Sequence, residues 1–238
     1  GTNINDLCGS QHPETLASEV VRTRADAGFA FDGDGDRVIA VDETGTVLTG
    51  DHILALCALS MKRRGVLKNN LLVTTVMANL GLRVAMQEHG VETSLTAVGD
   101  RSVLDEMTRR GAVIGGEQSG HIIFLEHHTS GDGILSALQV LRTLKDEGKP
   151  LSELGSVMRV FPQRLINVTV SRTPDLDTVP QIRDAISEVE ALLKDRGRVL
   201  VRYSGTQRMC RVMVEGPTEH ETDEYCRRIA KVVEDAIG

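Results

Sequence analysis

From Pro13 to Arg24 the apolar positions Leu16, Val20 and Val21 recur near helical spacing, and Gly28–Phe31 then reads as a short strand. Val38–Val41 is a second apolar run; Asp42-Glu43-Thr44-Gly45-Thr46 is turn chemistry, and Val47-Leu48 resumes the strand pattern. The pattern then alternates: a helix over 51–64 stopped by Gly65, a strand over 71–75, a helix over 80–89 stopped by Gly90, and a strand over 93–96. It continues with a helix over 102–110 capped by Asp100, strands over 112–115 and 122–125, and a helix from Asp132 or Gly133 to about Glu147. Strands alternating with helices of three to four turns predict an α/β domain with a mixed, mostly parallel sheet.

Lys149-Pro150 and Phe161-Pro162 flank a short segment after which the order changes. Strand (165–170), helix (179–194), strand (199–201), strand (210–215) and helix (219–236) predict a smaller α+β domain beginning near residue 160. No internal repeat or low-complexity tract is legible.

The 238 residues, 40% hydrophobic and 26% charged, have ordinary globular proportions. A formal charge of −7 with scattered basic residues, and only 3% aromatics, disfavours nucleic acid as a partner. Apolar runs such as Ile53–Leu59 are far shorter than the ~20 residues of a membrane span. The four cysteines are widely spaced with no CxxC pair and no apolar leader precedes them, so a reducing cytoplasm is expected.

Three stretches carry chemistry. In Asp32-Gly33-Asp34-Gly35-Asp36-Arg37 three carboxylates at alternate positions can fold around one hard cation, and without one they repel each other. A solvated acidic turn is the plain alternative. An EF-hand loop is another, with Glu43 at its twelfth position; Arg37 where glycine is required, and strands where helices are required, oppose it.

Gly115-Gly116-Glu117-Gln118-Ser119-Gly120-His121 offers a carboxylate able to accept from two sugar hydroxyls and a hydroxyl beside it, although any surface turn contains such residues and His121 alone reads equally as structural. Arg202-Tyr203-Ser204-Gly205-Thr206 with Arg211 can surround a phosphate, or can be a hairpin turn with an incidental ion pair.

In this order, DGDGDR, GEQSGH and RYSGT resemble the metal, sugar-recognition and phosphate loops of the α-D-phosphohexomutase superfamily. Gln118, the segment from Asn3 to Glu14, Val98–Arg101 and Gly131–Ile134 are most similar to its phosphoglucosamine mutase branch; the phosphomannomutase/phosphoglucomutase branch is the alternative. The resemblance implies that residues 1–48 are the end of that fold's second domain, 49–159 its third and 160–238 its fourth. It implies exchange of a phosphoryl group between glucosamine 6-phosphate and glucosamine 1-phosphate, on the route to UDP-N-acetylglucosamine and cell wall, through a phosphoserine enzyme and a bisphosphate.

By the same resemblance Asp32, Asp34 and Asp36 would hold Mg²⁺ and Arg37 would face the transferred phosphate. Glu117 and Ser119 would hold the sugar, Arg202, Ser204, Gly205, Thr206 and Arg211 the idle phosphate, and His121 would shuttle a proton. No serine lies in the superfamily's nucleophile motif, so the partners expected are a hexosamine phosphate and N-terminal domains absent from this chain, which alone should not turn over. A non-catalytic phosphosugar-binding module is the reading from another class. Tyr203 in place of the usual proline, and Gln207-Arg208 in place of Glu-Pro, depart from the superfamily's phosphate loop.

Overall fold

The computed structural model describes residues 2–205 and 207–238. The chain divides between Arg159 and Val160 into two compact units, each taken by itself below.

The first unit opens with helix α1 (Glu14–Thr23) and an antiparallel meander of β1 (Ala27–Phe31), β2 (Val38–Asp42) and β3 (Val47–Leu48). The expected turn between β2 and β3 is organised by Asp42, whose Oδ1 accepts from the amides of Thr44 and Thr46, each at 2.9 Å. An Asx turn of this kind pins hairpin register through side chain rather than backbone.

Helix α2 (Gly50–Arg63) follows, then β4 (Leu71–Thr75), α3 (Leu80–Glu88), β5 (Glu92–Thr96), α4 (Asp100–Arg110), β6 (Ile114–Gly116), β7 (Ile122–Phe124), α5 (Gly133–Glu147) and a short α6 (Leu151–Gly155). The sheet order is β5-β4-β6-β7, with β5, β4 and β6 parallel and β7 antiparallel. Helical crossovers force the parallel pairs, whereas the tight loop 117–121 can only return the chain antiparallel.

Helix α2 is apolar on every side and is buried accordingly: Ile53 and Leu54 sit in one core with Leu72, Leu82, Met86, Ile114 and Ile122. Three details depart from the sequence reading. Helix α4 starts at Asp100, two residues early, with Gly99 as its N-cap, so Asp100 is not the cap. Helix α6, which was not anticipated, starts right after Pro150, where Leu151 supplies the apolar anchor.

The third departure is a repeat. Strand, acidic or polar loop, antiparallel strand and helix occur twice, as β1–β2 to α2 and as β6–β7 to α5. Gly50-Asp51-His52-Ile53-Leu54 in one copy answers Gly131-Asp132-Gly133-Ile134-Leu135 in the other. The shared stretch is only five residues long and the loops themselves share little, which is why composition and pattern hid it. The copies differ in burial: Ile53 is enclosed, while Ile134, Leu138 and Leu141 form an exposed apolar stripe along α5.

The second unit is an antiparallel sheet of order β8-β10-β9, formed by β8 (Gln163–Thr169), β9 (Arg198–Tyr203) and β10 (Met209–Glu215), with α7 (Pro180–Leu193) and α8 (Glu219–Ile237) packed on it. Ile182, Val189 and Leu193 of α7 meet Val212, Ile229 and Val233 in a separate core. Both expected classes, a mixed α/β sheet domain and a smaller α+β domain, are therefore present. No helix among the described residues is long and apolar enough to cross a membrane.

Candidate functional site

The first loop leaves β1 and turns back into β2. Gly35 at φ +73° makes the turn, with its amide donating to the Asp32 carbonyl at 3.2 Å. One carboxylate oxygen from each of Asp32, Asp34 and Asp36 falls within 4.8 Å of the others, with Asp34 exposed and its two neighbours half-buried. Arg37 closes the group: its amide donates to Asp32 Oδ1 at 3.1 Å, and its Nε lies 3.6 Å from Asp32 and 3.7 Å from Asp36.

Asp36 Oδ1 is buried with no hydrogen bond. Burial, then the closeness of Asp32 and the charge of Asp34, hold the Asp36 carboxyl above the usual carboxylate range, with His121 pulling the other way. An all-oxygen cluster containing a buried carboxylate oxygen without a hydrogen bond fits a hard divalent cation.

The second loop leaves β6 and returns as β7. Glu117 donates its amide to the His121 carbonyl at 2.9 Å, and Gly120 at φ +94° donates to the Glu117 carbonyl at 3.0 Å. Glu117 Oε1 accepts from the amide of Gly99 at 3.0 Å, which leaves its other oxygen for a ligand. Ser119 Oγ is buried and unpartnered.

The two loops are tied to each other. Arg37 and His121 form an antiparallel bridge, and the Val38 amide donates to the Gly120 carbonyl at 3.1 Å. Each loop is also strapped by the helix that follows the other: Gly50 at the start of α2 donates to Gln118 at 3.0 Å, and Gly133 at the start of α5 donates to Gly35 at 2.8 Å. A Cβ on Gly50, Gly120 or Gly133 would collide with the backbone it approaches.

His121 sits at the junction, with its residue 5% exposed and its Nε2 3.7 Å from Asp36 Oδ2. Nε2 accepts from the Gly131 amide at 3.2 Å, so in the neutral ring the proton is on Nδ1, which is buried and has no partner. A Cβ on Gly131 would strike the ring. The straps through Gly50, Gly99, Gly131 and Gly133 were missed in the sequence reading; the paired Gly-Asp at the two helix starts was the available signal.

In the second unit Arg202 of β9 and Arg211 of β10 face each other in register. Burial, and then the charge of Arg211, lower the Arg202 pKa. Arg211 Nε and Ser204 Oγ are buried without partners, and Gly205 is exposed beside them. Thr206 lies outside the described residues. Tyr203 has a use: its hydroxyl donates to the Pro174 carbonyl at 2.8 Å and its ring packs on the second core, fixing the strand from which the loop departs.

The chain matches two models of one family: phosphoglucomutase/phosphomannomutase alpha/beta/alpha domain III over residues 49–161, and the C-terminal domain over residues 165–232. It is 59% identical over its whole length to a phosphoglucosamine mutase of Syntrophus aciditrophicus and 58% identical to that of Syntrophobacter fumaroxidans. It spans about half the length, 53%, of these curated relatives. Among solved structures it resembles the Aspergillus fumigatus N-acetylphosphoglucosamine mutase in complex with GlcNAc-6P and magnesium, at TM-score 0.78 and 23% identity. That match covers 98% of this chain and 54% of the fungal one, and it speaks for the fold.

Proposed function

Because the chain belongs to the phosphoglucomutase/phosphomannomutase family, we propose that it is the metal- and sugar-binding part of an enzyme interconverting glucosamine 6-phosphate and glucosamine 1-phosphate through a phosphoserine and a bisphosphate. The observation that carries this reading is the Arg37–His121 bridge, which sets three convergent carboxylates against a glycine-bounded Glu-Gln-Ser loop. Identity of 59% to a phosphoglucosamine mutase over the 238 residues supports the amino sugar over its neutral analogues.

On this reading Asp32, Asp34 and Asp36 hold Mg²⁺, which when bound supplies charge neutralisation at a transferring phosphoryl group. Arg37, already beside two of these carboxylates, points the same region toward an anion. Glu117 and Ser119 orient the sugar. Arg202, Ser204, Gly205 and Arg211, with Thr206, hold the phosphate that is not reacting and so place the other end for attack. His121 handles a proton at Nδ1, the ring atom left without a partner.

Residues 1–48, 49–159 and 160–238 are read as parts of three successive domains, and the phosphoserine is assigned to the half of the relatives' length that this chain does not span. Among the described residues β1 is bonded only to β2, and Ile134, Leu138 and Leu141 are exposed. Four free cysteines, with burial pushing the Cys57 thiol up to about 12, agree with a reducing cytoplasm.

The chain itself offers a test. A carboxyl whose pKa is raised on folding contributes stability below its unfolded value and loses it as pH rises through the folded value. The metal-free chain is therefore disfavoured at neutral pH by Asp36. Millimolar Mg²⁺ should raise the melting temperature at pH 7.5 and raise it much less at pH 3.5, where the raised pKa of Asp36 keeps that ligand protonated. Asp36→Asn should abolish the response at pH 7.5; an equal Mg²⁺ response in that variant would contradict the metal assignment. The purified chain should show no mutase turnover, and turnover free of host enzyme would contradict the placement of the nucleophile elsewhere.

A further inference from the structure

Asp51, in the first turn of α2, is a buried acid that no step of the proposed chemistry uses: it is 2% exposed and lies in none of the three loops. Burying a carboxyl group costs free energy unless hydrogen bonds offset it, so its partners indicate its use. Its Oδ2 accepts from the amide of Asn79 at 2.8 Å. Asn79 is itself buried and is the N-cap of α3, where its Oδ1 accepts from the Gly81 amide at 3.0 Å. The start of α3 is seated closely, because a Cβ on Gly81 would collide with the Arg159 carbonyl oxygen. The Asp51 carboxyl therefore fastens the start of α2 to a fixed post 28 residues away in sequence.

The same helix start touches the sugar loop. The amide of Gly50, the first helical residue, has no intrahelical acceptor, and it donates to the Gln118 carbonyl at 3.0 Å. The approach is close: a Cβ on Gly50 would collide with the Glu117 carbonyl oxygen and lie 2.7 Å from the Gly120 amide nitrogen. The base of the loop has a separate tie, since Thr74 Oγ1 of β4 donates to the Gly116 carbonyl at 2.8 Å. Gln118, at the crown, is thus held from the start of α2, and that start is held by Asp51.

We propose that Asp51 is a positioning residue for sugar binding: by locking the first turn of α2 to the start of α3, it holds the Gln118 backbone, and with it the flanking Glu117 and Ser119, in place for the sugar. The inference rests on the reading of Glu117 and Ser119 as the residues that hold the sugar, and it adds a residue outside all three loops. A misplacement of about 1 Å at a binding group can cost up to roughly a hundredfold in rate, so a buried brace at this distance has a measurable effect.

The test is the steady-state kinetics of the full-length protein on glucosamine 6-phosphate, for wild type, Asp51→Ala and Asp51→Asn. Asp51→Ala leaves the Asn79 amide without this acceptor and should raise KM roughly tenfold while kcat changes less than about threefold, as loss of uniform binding does. Asp51→Asn keeps an oxygen for that amide and should recover most of the loss. The Mg²⁺-induced rise in melting temperature should be the same in Asp51→Ala as in wild type, because Gly35 of the acidic loop is strapped from α5. A KM within about twofold of wild type in a folded Asp51→Ala variant, or a fall in kcat with KM unmoved, makes the residue merely structural and overturns the inference. Amide hydrogen exchange of the wild-type full-length protein tests the brace without any substitution. The Gly50 and Asn79 amides should exchange as slowly as those of Ile53 and Leu54 within α2, and exchange at the rate of exposed loop amides overturns the inference. A wild-type protein that turns over no hexosamine phosphate defeats the mutase reading, and with it the assignment of the brace to sugar binding.

Discussion

Replacing Asp34 with alanine in the full-length protein is expected to lower kcat by at least about a thousandfold while the fold survives. Asp34 is the exposed member of the carboxylate group, so its removal leaves no buried cavity. Its loss takes one of three anionic ligands from a site whose cation, on the proposed reading, supplies several kcal/mol of transition-state stabilisation. The melting temperature of the metal-free variant should rise slightly, because one like charge is removed from beside Asp36. A fall of less than tenfold at saturating Mg²⁺ would show that the acidic loop is not the metal site.

The second large effect is structural. Gly120 adopts φ +94°, and a Cβ there would overlap the backbone of Val38, the strand residue whose amide Gly120 itself receives. Backbone cannot retreat as a flexible side chain can. Gly120→Ala should therefore cost about 3 kcal/mol, combining a left-handed backbone penalty with displacement of the β2 start. For a unit of this size that lowers the melting temperature by roughly 6–12 °C. Gly35→Ala is the control: its φ is +73° but nothing lies within 4 Å of the added carbon, so about 1 kcal/mol is expected. Equal effects from the two substitutions would mean that the loop-to-loop contact does not constrain the site.

The elements were largely legible because their signals are local. Gly65, Gly90 and Gly111 end helices at positive φ, and Asp42 writes its turn within five residues. The convergence of the acidic loop was legible for the same reason, since three aspartates at alternate positions of one turn come within 4.8 Å of one another. What the sequence did not disclose depends on contacts between distant segments. The straps from Gly50 to Gln118 and from Gly133 to Gly35 join residues 68 and 98 positions apart, and each glycine looks ordinary until its partner backbone is in place.

Asp100 shows the opposite error. An acidic residue before a helix reads as a cap, and only the structure shows Gly99 in that position, with its amide donating to Glu117. Tyr203 likewise read as a departure from a motif, yet it is the residue that anchors β9, the strand leading into Ser204-Gly205, to Pro174. Neither could be recovered from pattern, since both roles are set by what the neighbouring segment offers.

The central claim is that this chain recognises an amino-sugar phosphate as part of a phosphohexomutase. The most direct measurement is turnover of glucosamine 6-phosphate, mannose 6-phosphate and glucose 6-phosphate by the full-length protein with Mg²⁺, using the isolated chain as the blank. The account predicts strong preference for glucosamine 6-phosphate and no turnover in the blank. Preference for mannose or glucose would contradict the amino-sugar assignment, and turnover of none of the three would contradict the enzyme reading.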